Sequence, residues 1–193
     1  YVYNAQRTAF LGSFTRENNK DWEGLSLGVL DGSSMVLEYH ESPASYGMGE
    51  IEVNQVIHGY RSLLNHQDAV LAEMTERMGP FGNSGACNIN VNCPEGADWQ
   101  TEKRSVALIV NGGSAYCTGA LINNTANDGT PYFLTANHCI GTPNTWVYYF
   151  NHESSSCSGT TGPTNQSVSG GSLLVQNGGS DFALIELSSA PPA

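Results

Sequence analysis

Charge is scarce in this sequence, and positive charge scarcest of all. Asp, Glu, Lys and Arg make up 13% of its 193 residues, where a typical soluble domain carries about a quarter. Lys and Arg number 7 against 18 Asp and Glu, a formal net charge of −11 with no basic stripe in either half. That excludes a nucleic-acid partner. Long apolar runs are missing too. The longest stretches, such as Val106 to Val110, fall far short of the roughly 20 residues that a membrane-spanning helix needs. Cysteine is absent from the first 86 residues, and the five present (Cys87, Cys93, Cys117, Cys139 and Cys157) never approach within a C-x2-4-C spacing. A zinc ribbon or finger is a poor fit, and a disulfide framework in an exported protein fits better.

Glycine, serine, threonine and asparagine fill the space that charge leaves, which favours short strands and turns over long helices. In residues 1–60, Met35, Leu37 and Tyr39 alternate with Val36, Glu38 and His40, the period of a half-buried strand. Ile51 and Val53, alternating with Glu52 and Asn54, suggest another. Residues 61–81 change character. Leu63, Leu64, Val70, Leu71, Met74 and Met78 recur at three- and four-residue spacings, which predicts an amphipathic helix. Gly79-Pro80 ends it, and Gly82-Asn83-Ser84-Gly85 reads as a flexible junction. Residues 82–193 are all strand and turn. Val106–Val110, Ala115–Ile122, Tyr132–Thr135, Trp146–Phe150, Leu173–Val175 and Asp181–Leu187 are the expected strands, at a spacing that suggests a barrel or sandwich.

The residues that carry chemistry are few. In Phe133-Leu134-Thr135-Ala136-Asn137-His138-Cys139 a strand ends in Thr-Ala and delivers a histidine followed at once by a cysteine. Cys117-Thr118-Gly119 lies on an earlier strand, and Ser180-Asp181-Phe182-Ala183-Leu184 heads a later one with an aspartate. In this order the segments resemble the trypsin-like (chymotrypsin-fold) serine peptidases. The bacterial lysyl endopeptidase branch is the nearer likeness, through Cys87-Asn88-Ile89-Asn90-Val91-Asn92-Cys93-Pro94-Glu95-Gly96 and Asn123-Asn124-Thr125-Ala126-Asn127-Asp128 together with the segments above. The likeness covers most of residues 82–193, and residues 1–60 look more weakly like a propeptide.

The resemblance implies a mainly β chain: a β-rich propeptide-like unit (1–60), a connecting helix and linker (61–81), and the first barrel of a two-barrel peptidase (82–193). It implies a secreted serine endopeptidase acting on proteins or peptides through an acyl-enzyme, without cofactor or metal. His138 would be the general acid/base and Asp181 the carboxylate that fixes its tautomer. The nucleophile would come from a later Gly-x-Ser-Gly motif, and no serine of this chain is expected to sit in such a setting. The chain opens on Tyr1 without an export signal, and is expected to be a piece of a longer precursor that lacks its C-terminal barrel and is inactive alone. Such a piece is expected to expose an apolar face where that barrel belongs. By the same likeness Cys117 pairs with Cys139 and Cys93 with Cys157, leaving Cys87 for a partner further along the protein.

Alternatives stand beside this reading. A secreted homologue could keep the barrel and bind rather than cut, and an unrelated exported β-sandwich adhesion module could carry the His-Cys pair by coincidence. His40, His58, His66 and His152 have no comparable context and read as structural, and His58 and His66 lack the H-E-x-x-H arrangement of a zinc hydrolase. The Asn123–Asp128 loop lacks EF-hand spacing and reads as a polar turn. No Lys or Arg falls within Gly79–Gly85, so self-processing at a lysine there is not expected. Lysine preference is not carried over.

Overall fold

The computed structural model describes residues 1–20, 24–57, 88–158 and 162–192. The helix expected over 61–81 lies outside them, as do Cys87, His58 and His66. Among the described residues no helix is long and apolar enough to cross a membrane.

A three-stranded antiparallel sheet opens the chain: β1 (Val2–Asn4) lies between β2 (Phe10–Leu11) and β3 (Met35–Leu37). The alternation at Met35–Leu37 correctly marks a strand, but all three side chains are exposed. The buried residues of this sheet are Val2, Tyr3 and Asn4, all of β1. The second alternating segment, around Ile51 and Val53, is irregular and exposed. Among the described residues no layer covers its apolar positions, so alternation there has no face to bury and no strand forms.

The remaining strands form one sheet: β4 (Val106–Asn111), β5 (Ser114–Ile122), β6 (Tyr132–Thr135), β7 (Val147–Phe150), β8 (Ser167–Ser169), β9 (Gly171–Asn177) and β10 (Phe182–Leu187). Their order is β8-β7-β4-β5-β6-β10-β9. The two outermost strands are consecutive in sequence and separated only by Gly170. Its N–H donates to the Trp146 carbonyl (2.8 Å) before β7, and its carbonyl accepts from Ser188 N–H (3.1 Å) after β10. The sheet therefore closes through one residue into a barrel whose fifth strand is bent. Gly170 sits at φ +78°, a conformation that any side chain would strain.

Residues of β4, β6, β7, β8 and β10 fill the barrel. Ala107, Ile109, Phe133, Tyr148, Phe150, Val168, Ile185 and Leu187 pack around Trp146 in one cluster. Phe133 meets Tyr148 edge-on at 5.1 Å and Phe150 at 6.4 Å. Gly119 makes room for it, since a Cβ there would fall 2.4 Å from the Phe133 ring. A second cluster (Val110, Val147 and Tyr149, with Leu108) uses the opposite parity on the outer side of β4 and β7. Residues of the N-terminal segment cover part of it: the buried Tyr149 hydroxyl accepts from Val29 N–H at 2.8 Å. Lys20 Nζ reaches Ser188 Oγ at 2.8 Å. This is why β7 is buried on both faces, where a barrel strand open to water would alternate.

Candidate active site

The site begins at the end of β6. Phe133 and Thr135 point inward, and Thr135 Oγ1 donates to the Thr118 carbonyl at 2.8 Å. With both side chains held, the chain leaves the strand at Ala136 and makes a single 3-10 turn, Asn137–Cys139. Cys139 is buried and bonded to Cys117 of β5, closing a loop with a sequence separation of 22. Loop closure of that size constrains the unfolded chain by about 3 kcal/mol in the chain-entropy account. A second disulfide, Cys93–Cys157, joins the segment before the barrel to the loop after β7. His138 is thus fixed on both sides and leaves the surface with its side chain 71% exposed.

Asp181 comes from the β9–β10 turn, 43 residues later. Its Oδ2 accepts from His138 Nδ1 at 2.7 Å and its Oδ1 from the His138 main-chain N–H at 2.9 Å. One carboxylate thereby holds both the ring and the backbone of the same residue. The bond from Nδ1 leaves Nε2 as the ring nitrogen available for proton transfer. The hydrogen bonds from the His138 ring and then its main chain, with a further one from Asn137, hold the Asp181 carboxyl below its ordinary range. A carboxylate with a lowered pKa stabilises the fold above that ordinary range, and the contribution disappears as pH falls through the folded value. Replacing His138 by alanine removes the ring donor but keeps the main-chain one. The Asp181 carboxyl should then titrate at a higher pH, part of the way back toward about 3.9. Carboxyl carbon resonances followed against pH report this directly, and an unmoved midpoint would show that the ring bond is not formed.

The other candidates lie elsewhere. His40 Nε2 is 2.5 Å from Glu38 Oε1 on the exposed N-terminal sheet, and His152 Nδ1 is 3.0 Å from the Pro163 carbonyl. Asp128 Oδ1 takes hydrogen bonds from Asn124 Nδ2 (2.8 Å), Thr130 N–H (2.9 Å) and Thr130 Oγ1 (2.7 Å), a self-contained turn. The Sγ atoms of Cys117 and Cys139 and a ring nitrogen of His138 lie within 4.8 Å of one another. The two sulfurs are spent on their mutual bond and offer no thiolate to a metal. Gly82-Asn83-Ser84-Gly85 does carry the letters Gly-x-Ser-Gly. It precedes His138, whereas in the chymotrypsin order the serine follows the aspartate, and it lies outside the described residues. The residue that motif reading passed over is Asn177, whose side chain organises the turn that carries Asp181. The Asn-Gly pair that begins this turn was the available sign.

Residues 81–193 match the family model described as lysyl endopeptidase, C-terminal domain. The lysyl endopeptidase of Pseudomonas aeruginosa is 30% identical over 128 residues, covering 58% of this chain and 28% of that protein. The chain therefore spans little more than a quarter of the length of this relative. The family match takes in the whole barrel, both disulfides and the His138–Asp181 pair, and extends over more than half of the sequence: the chain belongs to the lysyl endopeptidase family, on a trypsin-like β fold.

Proposed function

We propose that this chain supplies the general acid/base and its orienting carboxylate to a secreted serine endopeptidase. The observation that carries the reading is the twofold grip of Asp181 on His138, at 2.7 and 2.9 Å. A serine hydroxyl is a weak nucleophile until a neutral imidazole takes its proton, and the carboxylate on Nδ1 fixes the tautomer that leaves Nε2 free to do so. His138 then returns the proton to the leaving amine, and the acyl-enzyme is hydrolysed by the same steps with water. Asp181 stays ionised throughout and stabilises the imidazolium.

The serine, on this reading, belongs to a part of the protein after Asp181, together with the groups that select the cleaved residue. Residues 1–193 alone would then not hydrolyse peptides. The outer face of the barrel supports a second unit packing there. Leu134, Leu184 and Val175 stand in one cross-strand row over β6, β10 and β9, with Leu134 and Val175 exposed. The substrates are proteins or peptides, as the relative's name suggests for that protein. No cofactor takes part in the scheme.

Hydrolysis of a denatured protein by the complete polypeptide tests the reading, with a fluorophosphonate as inhibitor. Cleavage that stops when one equivalent of the reagent is incorporated is the expected result. A complete protein that neither cleaves nor reacts would instead be a barrel that binds, and the catalytic reading would fall.

A further inference from the structure

Asp181 stands at φ +51°, in the left-handed region where a side chain other than glycine is uncommon and Asp and Asn are the usual exceptions. That conformation lets a residue at the start of β10 turn its carboxylate back onto His138. Something must hold the four-residue turn Gly178–Asp181 in that shape. Asn177, the last residue of β9, pairs in register with Phe182, the first of β10. Its Oδ1 accepts three hydrogen bonds from the turn: Gly179 N–H at 2.9 Å, Ser180 N–H at 3.0 Å and Ser180 Oγ at 3.1 Å. Gly178, also in the turn, runs beside the Asn137 side chain, so the turn and the histidine-bearing segment lie against each other.

We propose that Asn177 is a positioning residue for the catalytic pair, its amide oxygen gathering the turn donors so that Asp181 meets both the ring and the main chain of His138. The proposal rests on the reading of Asp181 as the carboxylate that orients His138. Asn177 touches neither His138 nor substrate in this account and acts only through Asp181. Its side chain is exposed, so truncation removes little packing. What truncation removes is the common acceptor of three donors, after which the turn is free to leave the left-handed conformation at Asp181.

The test compares three variants of the complete protein: Asn177→Ala, Asn177→Asp and His138→Ala. Asn177→Ala should lower kcat roughly 10- to 100-fold with KM little changed, the size of effect that follows from misplacing a catalytic group by about 1 Å. Asn177→Asp keeps an acceptor oxygen at the same place and should restore most of the rate. In this 193-residue chain, Asn177→Ala should also weaken the strong intraresidue amide-to-Hα NOE that a positive φ gives Asp181, and Asn177→Asp should keep it. Full activity in Asn177→Ala beside an inactive His138→Ala would overturn the role of Asn177 and leave the pair intact. A loss that Asn177→Asp does not rescue would overturn it as well. Activity in His138→Ala would overturn the reading of the site itself.

Discussion

Replacing His138 by alanine in the complete protein should lower kcat by about 10⁴- to 10⁶-fold, with kcat/KM falling in parallel. Nδ1 is committed to Asp181 at 2.7 Å, so proton transfer has one nitrogen through which to run, and alanine has none. Among the described residues, nothing nearby substitutes for it: the other histidines are engaged on remote surfaces, His40 with Glu38 and His152 with Pro163. On the proposed mechanism the imidazole acts in proton transfer rather than in substrate binding, so KM should move little. Steady-state kinetics on a peptide amide decides the matter, and a variant that keeps more than about a tenth of the wild-type kcat would remove His138 from the chemistry.

The second large effect concerns the fold that carries the site. Phe133→Ala should destabilise the chain by about 3–5 kcal/mol. Its ring is fully buried, meets two aromatic edges and lies where Gly119 leaves space for no other side chain. The strands around it are closed on themselves through Gly170, so they have little freedom to collapse into the cavity. β6 is also the strand that delivers His138, so the loss falls on the site as well as on the core. The shift in urea midpoint measures it. A cost below about 1 kcal/mol would mean that the barrel interior is not packed around this ring.

Much of the barrel was legible in the sequence. β6 and β10 bury alternate residues as strands with one buried face do, β4 also buries Val110 on its outer side, and the expected segments fall within one or two residues of the observed ones. Leu173–Val175 was legible as a strand but not in its surroundings. It is exposed on both faces, which the expected strand did not specify. β7 is the converse, buried on both faces because residues from the N-terminal segment reach Tyr149. Both departures come from long-range contacts that periodicity does not carry. The same holds for Gly170, one of 22 glycines, whose role appears only when Trp146 and Ser188 are brought to it. The exposed alternation at Ile51–Asn54 misled for a simpler reason: period two predicts a strand only where a second layer takes up one face.

The candidate site was legible through motif rather than through pattern. His138 and Asp181 were singled out by the residues around them, and the structure sets them 2.7 Å apart. Asn177 was passed over because its contribution is a turn conformation, signalled only by the Asn177-Gly178 pair and not by composition or hydrophobic order.

The most direct test of the central claim is to label the complete protein with a fluorophosphonate and map the modified residue, in the wild type and in His138→Ala. The account predicts one labelled serine that follows Asp181 in the chain, and labelling at least about 10³-fold slower without the imidazole. Label on Ser84 or on any other serine of residues 1–193, or equal labelling rates in the two proteins, would contradict it.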